Sequence, residues 1–160
     1  MSSTKDTQKL WEIYLKERGK AWLKVASGSM SPMIPIGASI LVKKCHLKDI
    51  IPSDIIVFKS NGKLIVHRVL QKNKDQILQA GDNFSLPSLI HKRSIIGQVA
   101  LIRGPKSVID LQKKKNKFLN AIISGIYILA HKIPNHNYWL LKINNKLLKL
   151  LRETRIHRNF

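Results

Sequence analysis

Residues 55–70 read Ile55-Ile56-Val57-Phe58-Lys59-Ser60-Asn61-Gly62-Lys63-Leu64-Ile65-Val66-His67-Arg68-Val69-Leu70. Two apolar, β-branched runs flank Asn61-Gly62, the pair that most readily fills the two positive-φ positions of a tight hairpin turn. The stretch predicts two antiparallel strands, over 55–59 and 64–70. Working outward, the same texture recurs at 21–26, 39–43, 76–79 and 97–103. Pro35-Ile36-Gly37, Pro52-Ser53-Asp54 and Gly81-Asp82-Asn83 act as breakers between these runs. Six short strands at this spacing imply a compact, mainly β domain.

The flanks are helical. Residues 5–18 place Leu10, Ile13 and Tyr14 on one side of a short helix, with Trp11 and Leu15 beside them and Gly19 as the stop. Beyond residue 112, Leu140, Ile143, Leu147, Leu150 and Leu151 fall on one helical face, and Lys142, Lys146, Lys149 and Arg152 on the others. The chain therefore divides into an N-terminal helical segment (1–20), a β domain (21–111) and a basic amphipathic helical extension (112–160).

Charge is the second organising feature. The 160 residues carry 29 Lys and Arg against 9 Asp and Glu, a net +20, and the excess is densest from Gln112 onward, where 11 basic residues face Glu153 alone. Such an imbalance points to a polyanionic partner, an acidic membrane surface or nucleic acid. With 44% apolar residues the chain can build a core, which excludes wholesale disorder. A single cysteine, Cys45, excludes an internal disulfide and a multi-cysteine zinc site, and reads as a small buried hydrophobe. No apolar run at the N-terminus suggests a signal peptide. The weakly polar stretch 118–130 is shorter than the roughly 20 residues of a spanning helix, so no transmembrane helix is expected.

Three features attract chemical attention. Ser27-Gly28-Ser29-Met30-Ser31-Pro32 clusters hydroxyls on a taut segment whose backbone N–H groups can bind an oxyanion, although turn-forming serines in a polar loop have the same composition. His67 shares a strand face with Ile65 and Val69, which suits either a satisfied core histidine or a base for a serine nucleophile. Asp82, in Gly81-Asp82-Asn83, is by itself a turn aspartate. In the order Ser, His, Asp they form a candidate nucleophile, base and orienting acid.

Ser27-Gly28-Ser29-Met30-Ser31-Pro32 resembles the S-G-S-M-x-P box of the type I signal peptidases, the S26 serine peptidases, whose fold is related to that of the S24 or LexA-like peptidases. In order after it, Ser53-Asp54-Ile55-Ile56-Val57-Phe58 is similar to the family's G-D-I-V-x-F strand, and Val66-His67-Arg68-Val69 to its base-bearing strand. Gly81-Asp82-Asn83 resembles the G-D-N box, and Ile95-Ile96-Gly97-Gln98-Val99 the closing I-I-G-x-V strand. The resemblance spans residues 22–103. It implies Ser29 as the nucleophile, His67 as the base of a histidine-type member, and Asp82 as the third member. Ser27 Oγ and the Ser29 N–H become the oxyanion hole, Met30 and Pro32 line the substrate groove, and no cofactor or metal is required.

The sequence departs from this pattern at Met33, where Thr is usual, and at Gly37-Ala38, where G-D is usual. Histidine-type members also carry a further acid shortly after the G-D-N box. Phe84-Ser85-Leu86-Pro87-Ser88 has no carboxylate, which makes Ser85 or Ser88 a substitute and leaves Asp82 a structural alternative.

The expected activity is a serine endopeptidase acting on a leader or signal-like peptide with small residues before the scissile bond, such as a small precursor peptide. The helical extension either packs on the β domain or lies on an anionic membrane through residues 118–152, with Ile122, Ile126, Trp139, Leu140 and Leu147 entering the headgroup boundary. The expected location is cytoplasmic, or peripheral on the cytoplasmic membrane face. A LexA-type self-cleaving regulator is the first alternative; against it stand the histidine in place of lysine and the 20 residues ahead of the β region, too few for a helix-turn-helix domain. A non-catalytic basic module is the second, with nucleic acid a poor partner because few aromatics stand at stacking spacing.

Overall fold

The computed structural model describes residues 4–83, 85–105, 107–132 and 137–153. Its centre is the hairpin of β3 (Ile55–Ser60) and β4 (Lys63–Lys72), paired from Ile55 opposite Arg68 to Ser60 opposite Lys63. Asn61 and Gly62 have φ of 47° and 69°, so the Asn-Gly pair supplies both left-handed positions of the turn. Around the hairpin stand β1 (Lys20–Lys24), β2 (Ser39–Lys43), β5 (Gln76–Ala80), β6 (Ser88–His91), β7 (Ile95–Arg103) and β8 (Val108–Asp110). They form one antiparallel sheet in the order β1-β2-β7-β3-β4-β5-β6, with β8 on β7. Register shifts at Leu41/Val42, Val57/Phe58 and Val69/Gln71 bend the strands, and the sheet curls into a half-barrel.

The run Ile55-Ile56-Val57-Phe58 has no polar alternation because β3 is buried on both faces. Ile55 and Val57 join the principal core with Ile34, Ile40, Val42 and Ile102, while Ile56 and Phe58 join a second cluster with Ile50, Val69 and Ile77. The expected strand 21–26 stops at Lys24, after which Val25 N–H bonds Ala38 C=O and closes the end of the β1–β2 pair. β6 and β8 were not expected. Both are short, and β6 carries Ser88 and His91 at its ends, so neither has the apolar run that marks a strand.

Helix α1 (Thr4–Arg18) ends at Gly19, whose N–H bonds Leu15 C=O and whose φ is 70°. Its inward face is the i, i+4 pair Trp11 and Leu15, whereas Leu10, Ile13 and Tyr14, the expected apolar face, are exposed. Helices α2 (Lys114–Lys132) and α3 (Asn137–Glu153) pack on one another. Ile123 and Leu148 enter the principal core with the strands, and α2 lies against β4. The helices are thus packed on the β domain, as one of the two expectations has it. Among the described residues, no helix is long and apolar enough to cross a membrane.

Candidate active site

The serine segment is fixed by its apolar residues. Met30, Met33 and Ile34 are buried in the principal core, and the turn closes through Ser31 N–H to Gly28 C=O and Ile34 N–H to Met30 C=O. Between these anchors Ser27 is exposed and Ser29 half-buried, with their Oγ atoms 3.5 Å apart. The Ser29 carbonyl accepts from Asn83 N–H at 3.1 Å. Gly81 allows this approach: a Cβ there would lie 2.3 Å from the Ser29 oxygen. The turn is held in turn by Ser85, whose Oγ accepts from Gly81 N–H at 2.8 Å, and Tyr127 of α2 donates its hydroxyl proton to Ser85 C=O.

His67 and Arg68 are consecutive on β4 and project to opposite faces. His67 is half-buried, its ring edge-on to Phe58 at a centroid distance of 5.9 Å. The β4–β5 register sets Gln79 opposite Val69, on His67's own face. Gln79 is 3% exposed, and its Oε1 lies 2.5 Å from His67 Nδ1. Gln79 in turn faces Ser88 across the β5–β6 ladder, and its Nε2 donates to Ser88 Oγ at 2.6 Å. A polar row His67–Gln79–Ser88 therefore crosses three strands. With the amide oxygen toward the ring and its NH2 toward Ser88, the matching tautomer has the proton on Nδ1 and the lone pair on Nε2. Burial pulls the imidazole pKa below its ordinary value, against the raising influence of the Gln79 hydrogen bond and then of the Asp82 charge.

On the other face Arg68 is fully buried. Its Nε and Nη2 donate to the two carboxylate oxygens of Asp82 at 2.7 and 2.8 Å, and Nη1 donates to Ser53 C=O and, at 2.6 Å, to Asn120 Oδ1 of α2. Both oxygens of Asp82 thus accept from Arg68, and the hydrogen-bond partner of His67 Nδ1 is Gln79. Met30 is 1% exposed and fills the core, so its side chain does not line a groove, while Pro32 is half-buried. No hydrogen bond joins Ser29 to His67 among the described residues; the turn 81–83, which clamps Ser29, continues from β5, the strand that carries Gln79. Phe84 lies outside the described residues.

Sequence reasoning missed Gln79 and Asn120. The signal for Gln79 was the two-residue alternation of 76–80 set against 64–70, which needs the register to be read. No group of three or more His, Cys, Asp or Glu side chains among the described residues is placed to hold a metal.

A model of the Peptidase S24-like family matches residues 2–100, more than half of the chain, from α1 into β7. No curated protein matches the sequence. The serine segment, the hairpin that carries His67 and the clamping turn all fall within the matched span. The chain belongs to the S24-like peptidase family.

Proposed function

We propose that the protein is a serine endopeptidase of signal peptidase type, with Ser29 as nucleophile and His67 as general base. The observation that carries this reading is the engaged Nδ1 of a half-buried His67, which leaves Nε2 as the proton acceptor on the strand beside β5, whose following turn grips Ser29. His67 Nε2 takes the Ser29 hydroxyl proton as Oγ attacks the scissile carbonyl carbon. Ser27 Oγ–H and Ser29 N–H hold the oxyanion. Collapse breaks the C–N bond and His67 returns the proton to the leaving amine. Water, deprotonated by His67, then attacks the acyl ester, and the proton passes back to Ser29 Oγ. The resemblance of the serine box to the S26 enzymes supports a leader or signal-like peptide with small residues before the cut.

The test compares small-peptide pools from cells expressing the wild type and Ser29→Ala by mass spectrometry. A peptide shortened only with the wild type is the expected result; identical pools with both proteins folded overturn the reading. The S24-like match favours one second reading, self-cleavage of a regulatory kind. A shorter form of the chain that accumulates in the wild type and not in Ser29→Ala would establish it.

The helical pair supports peripheral attachment to an anionic membrane. Phe118, Ile122 and Leu129 are exposed at helical spacing on α2, and Ile143 and Leu150 on α3. This set replaces the expected one in part, because Leu140 is buried and Leu147 packs against the core, while the side chain of Trp139 lies outside the described residues. Lys114, Lys115, Lys117 and Lys132 bracket the α2 stripe. Sedimentation with phosphatidylserine vesicles and not with phosphatidylcholine vesicles is the expected outcome, and no sedimentation at low salt overturns it.

A further inference from the structure

Serine–histidine catalysis asks for a third group that accepts from Nδ1–H, fixes the tautomer and holds the ring plane. The acid assigned to that place by position, Asp82, is occupied on the opposite face by Arg68. The stretch 84–88, where a further acid would stand, has no carboxylate. The atom that does meet Nδ1 belongs to Gln79, an inward residue of a central strand whose other amide end is tied to Ser88.

We infer that Gln79, oriented by Ser88, is the positioning residue of His67, a neutral amide standing where an acid stands in a serine–histidine–acid arrangement. The inference rests on the reading of Ser29 and His67 as nucleophile and base. Three features support it. The amide bridges the ring and Ser88 with one short hydrogen bond at each end, its oxygen toward Nδ1 and its NH2 toward Ser88 Oγ. Gln79 is 3% exposed, so an unpaired amide there would be costly and both contacts are favoured, with Ser88 at the exposed outer end of the row. The cross-strand register delivers all three residues to one face, so strand pairing and not a loop sets the geometry.

A neutral partner also changes the chemistry. A carboxylate would stabilise the imidazolium by charge; an amide oxygen does so by its dipole alone. The charged groups next to the ring's strand position are Asp82, on the turn after β5, and Arg68, next along β4, and they are paired with one another. The base therefore works without a free carboxylate beside it, and its pKa is lowered by burial.

The test reads the ring directly and then the reaction. Nitrogen-15 NMR of the full chain, with His67 resonances assigned by difference against His67→Gln, is expected to show the Nδ1–H tautomer at neutral pH. Gln79→Leu, a buried substitution of similar size, is expected to give a mixed or Nε2–H tautomer. Gln79→Glu is expected to raise the His67 pKa by at least about one unit. On a quenched peptide library with alanine before the scissile bond, Gln79→Leu is expected to lower kcat by about tenfold to a hundredfold with KM little changed. Gln79→Glu is expected to restore cleavage and move its acid limb to higher pH. An Nε2–H tautomer in the wild type, or a tautomer and pH profile indifferent to both variants, overturns the inference. Because the NMR measurement needs no substrate, the two failures separate. A ring that follows position 79 in a chain that cleaves nothing sinks the peptidase reading alone, and Ser29-dependent cleavage that ignores position 79 sinks the inference alone.

Discussion

Adjacent residues on β4 carry two unlike duties, and the two-residue period of the strand keeps them apart. Arg68 faces inward to Asp82, and both are buried. Removing one partner leaves an uncompensated charge in the core, so Asp82→Ala is expected to lower stability by about 3–5 kcal/mol, measured by denaturant unfolding. Replacing the pair with Arg68→Met and Asp82→Leu together is expected to cost much less than the two single changes added, since no orphaned charge remains. His67 carries its own pH signature. Its folded pKa lies below the unfolded value of about 6.5, so in that interval the unfolded chain binds a proton that the folded chain refuses. Stability is therefore expected to fall as pH drops from about 6.5 through the folded pKa and then to level, a slope missing from His67→Gln. The acid limb of kcat/KM is expected to have its midpoint below about 6.5 for the same reason. The sequence nominated Ser29 and His67 because serine and histidine are the residue types of a nucleophile and a base. It did not show Gln79, since a glutamine acquires a role only when the strand beside it is known.

At the scale of elements, the site depends on a turn meeting a loop. The β3–β4 hairpin was legible because Asn61-Gly62 forces its own conformation, whereas the grip of the turn 81–83 on the serine segment joins residues some fifty positions apart and leaves no local mark. Gly81 is the contact point. An added Cβ would overlap the Ser29 carbonyl backbone, which cannot yield as a flexible side chain would. Gly81→Ala is therefore expected to push Ser29 off its position by a fraction of an ångström or more. Library cleavage is expected to fall by about a hundredfold, with the far-ultraviolet circular dichroism spectrum retained. Unchanged cleavage would mean that the turn does not set the nucleophile. The unexpected strands β6 and β8 teach a related point: β6 is a strand because β5 offers it an edge, and its Ser88 matters for what it touches in β5 and not for its own propensity.

Over the whole molecule, α2 joins the two ends of the argument. The family match ends at residue 100, yet Asn120 completes the hydrogen bonding of Arg68 and Tyr127 holds the turn that grips Ser29. Composition placed a boundary at residue 112 because the charge density changes there, but a change in surface charge does not mark the limit of a core. Helix α2 has an inner face of Asn120, Ile123 and Tyr127 and an outer face of Phe118, Ile122 and Leu129, and the two are expected to be separable by mutation. Asn120→Ala leaves the buried Arg68 Nη1 with Ser53 C=O as its remaining partner, and is expected to lower stability by about 1–3 kcal/mol while vesicle binding persists. The outer-face change Phe118→Ser removes apolar surface that is two-thirds exposed. It is expected to leave the unfolding midpoint nearly unchanged and to weaken sedimentation with phosphatidylserine vesicles several-fold. Thermal unfolding and vesicle sedimentation on the same two proteins decide the matter. If Asn120→Ala loses the vesicles at a temperature where it is folded, or the outer-face variant melts early, the two faces are not independent and the packing and surface of α2 work as one.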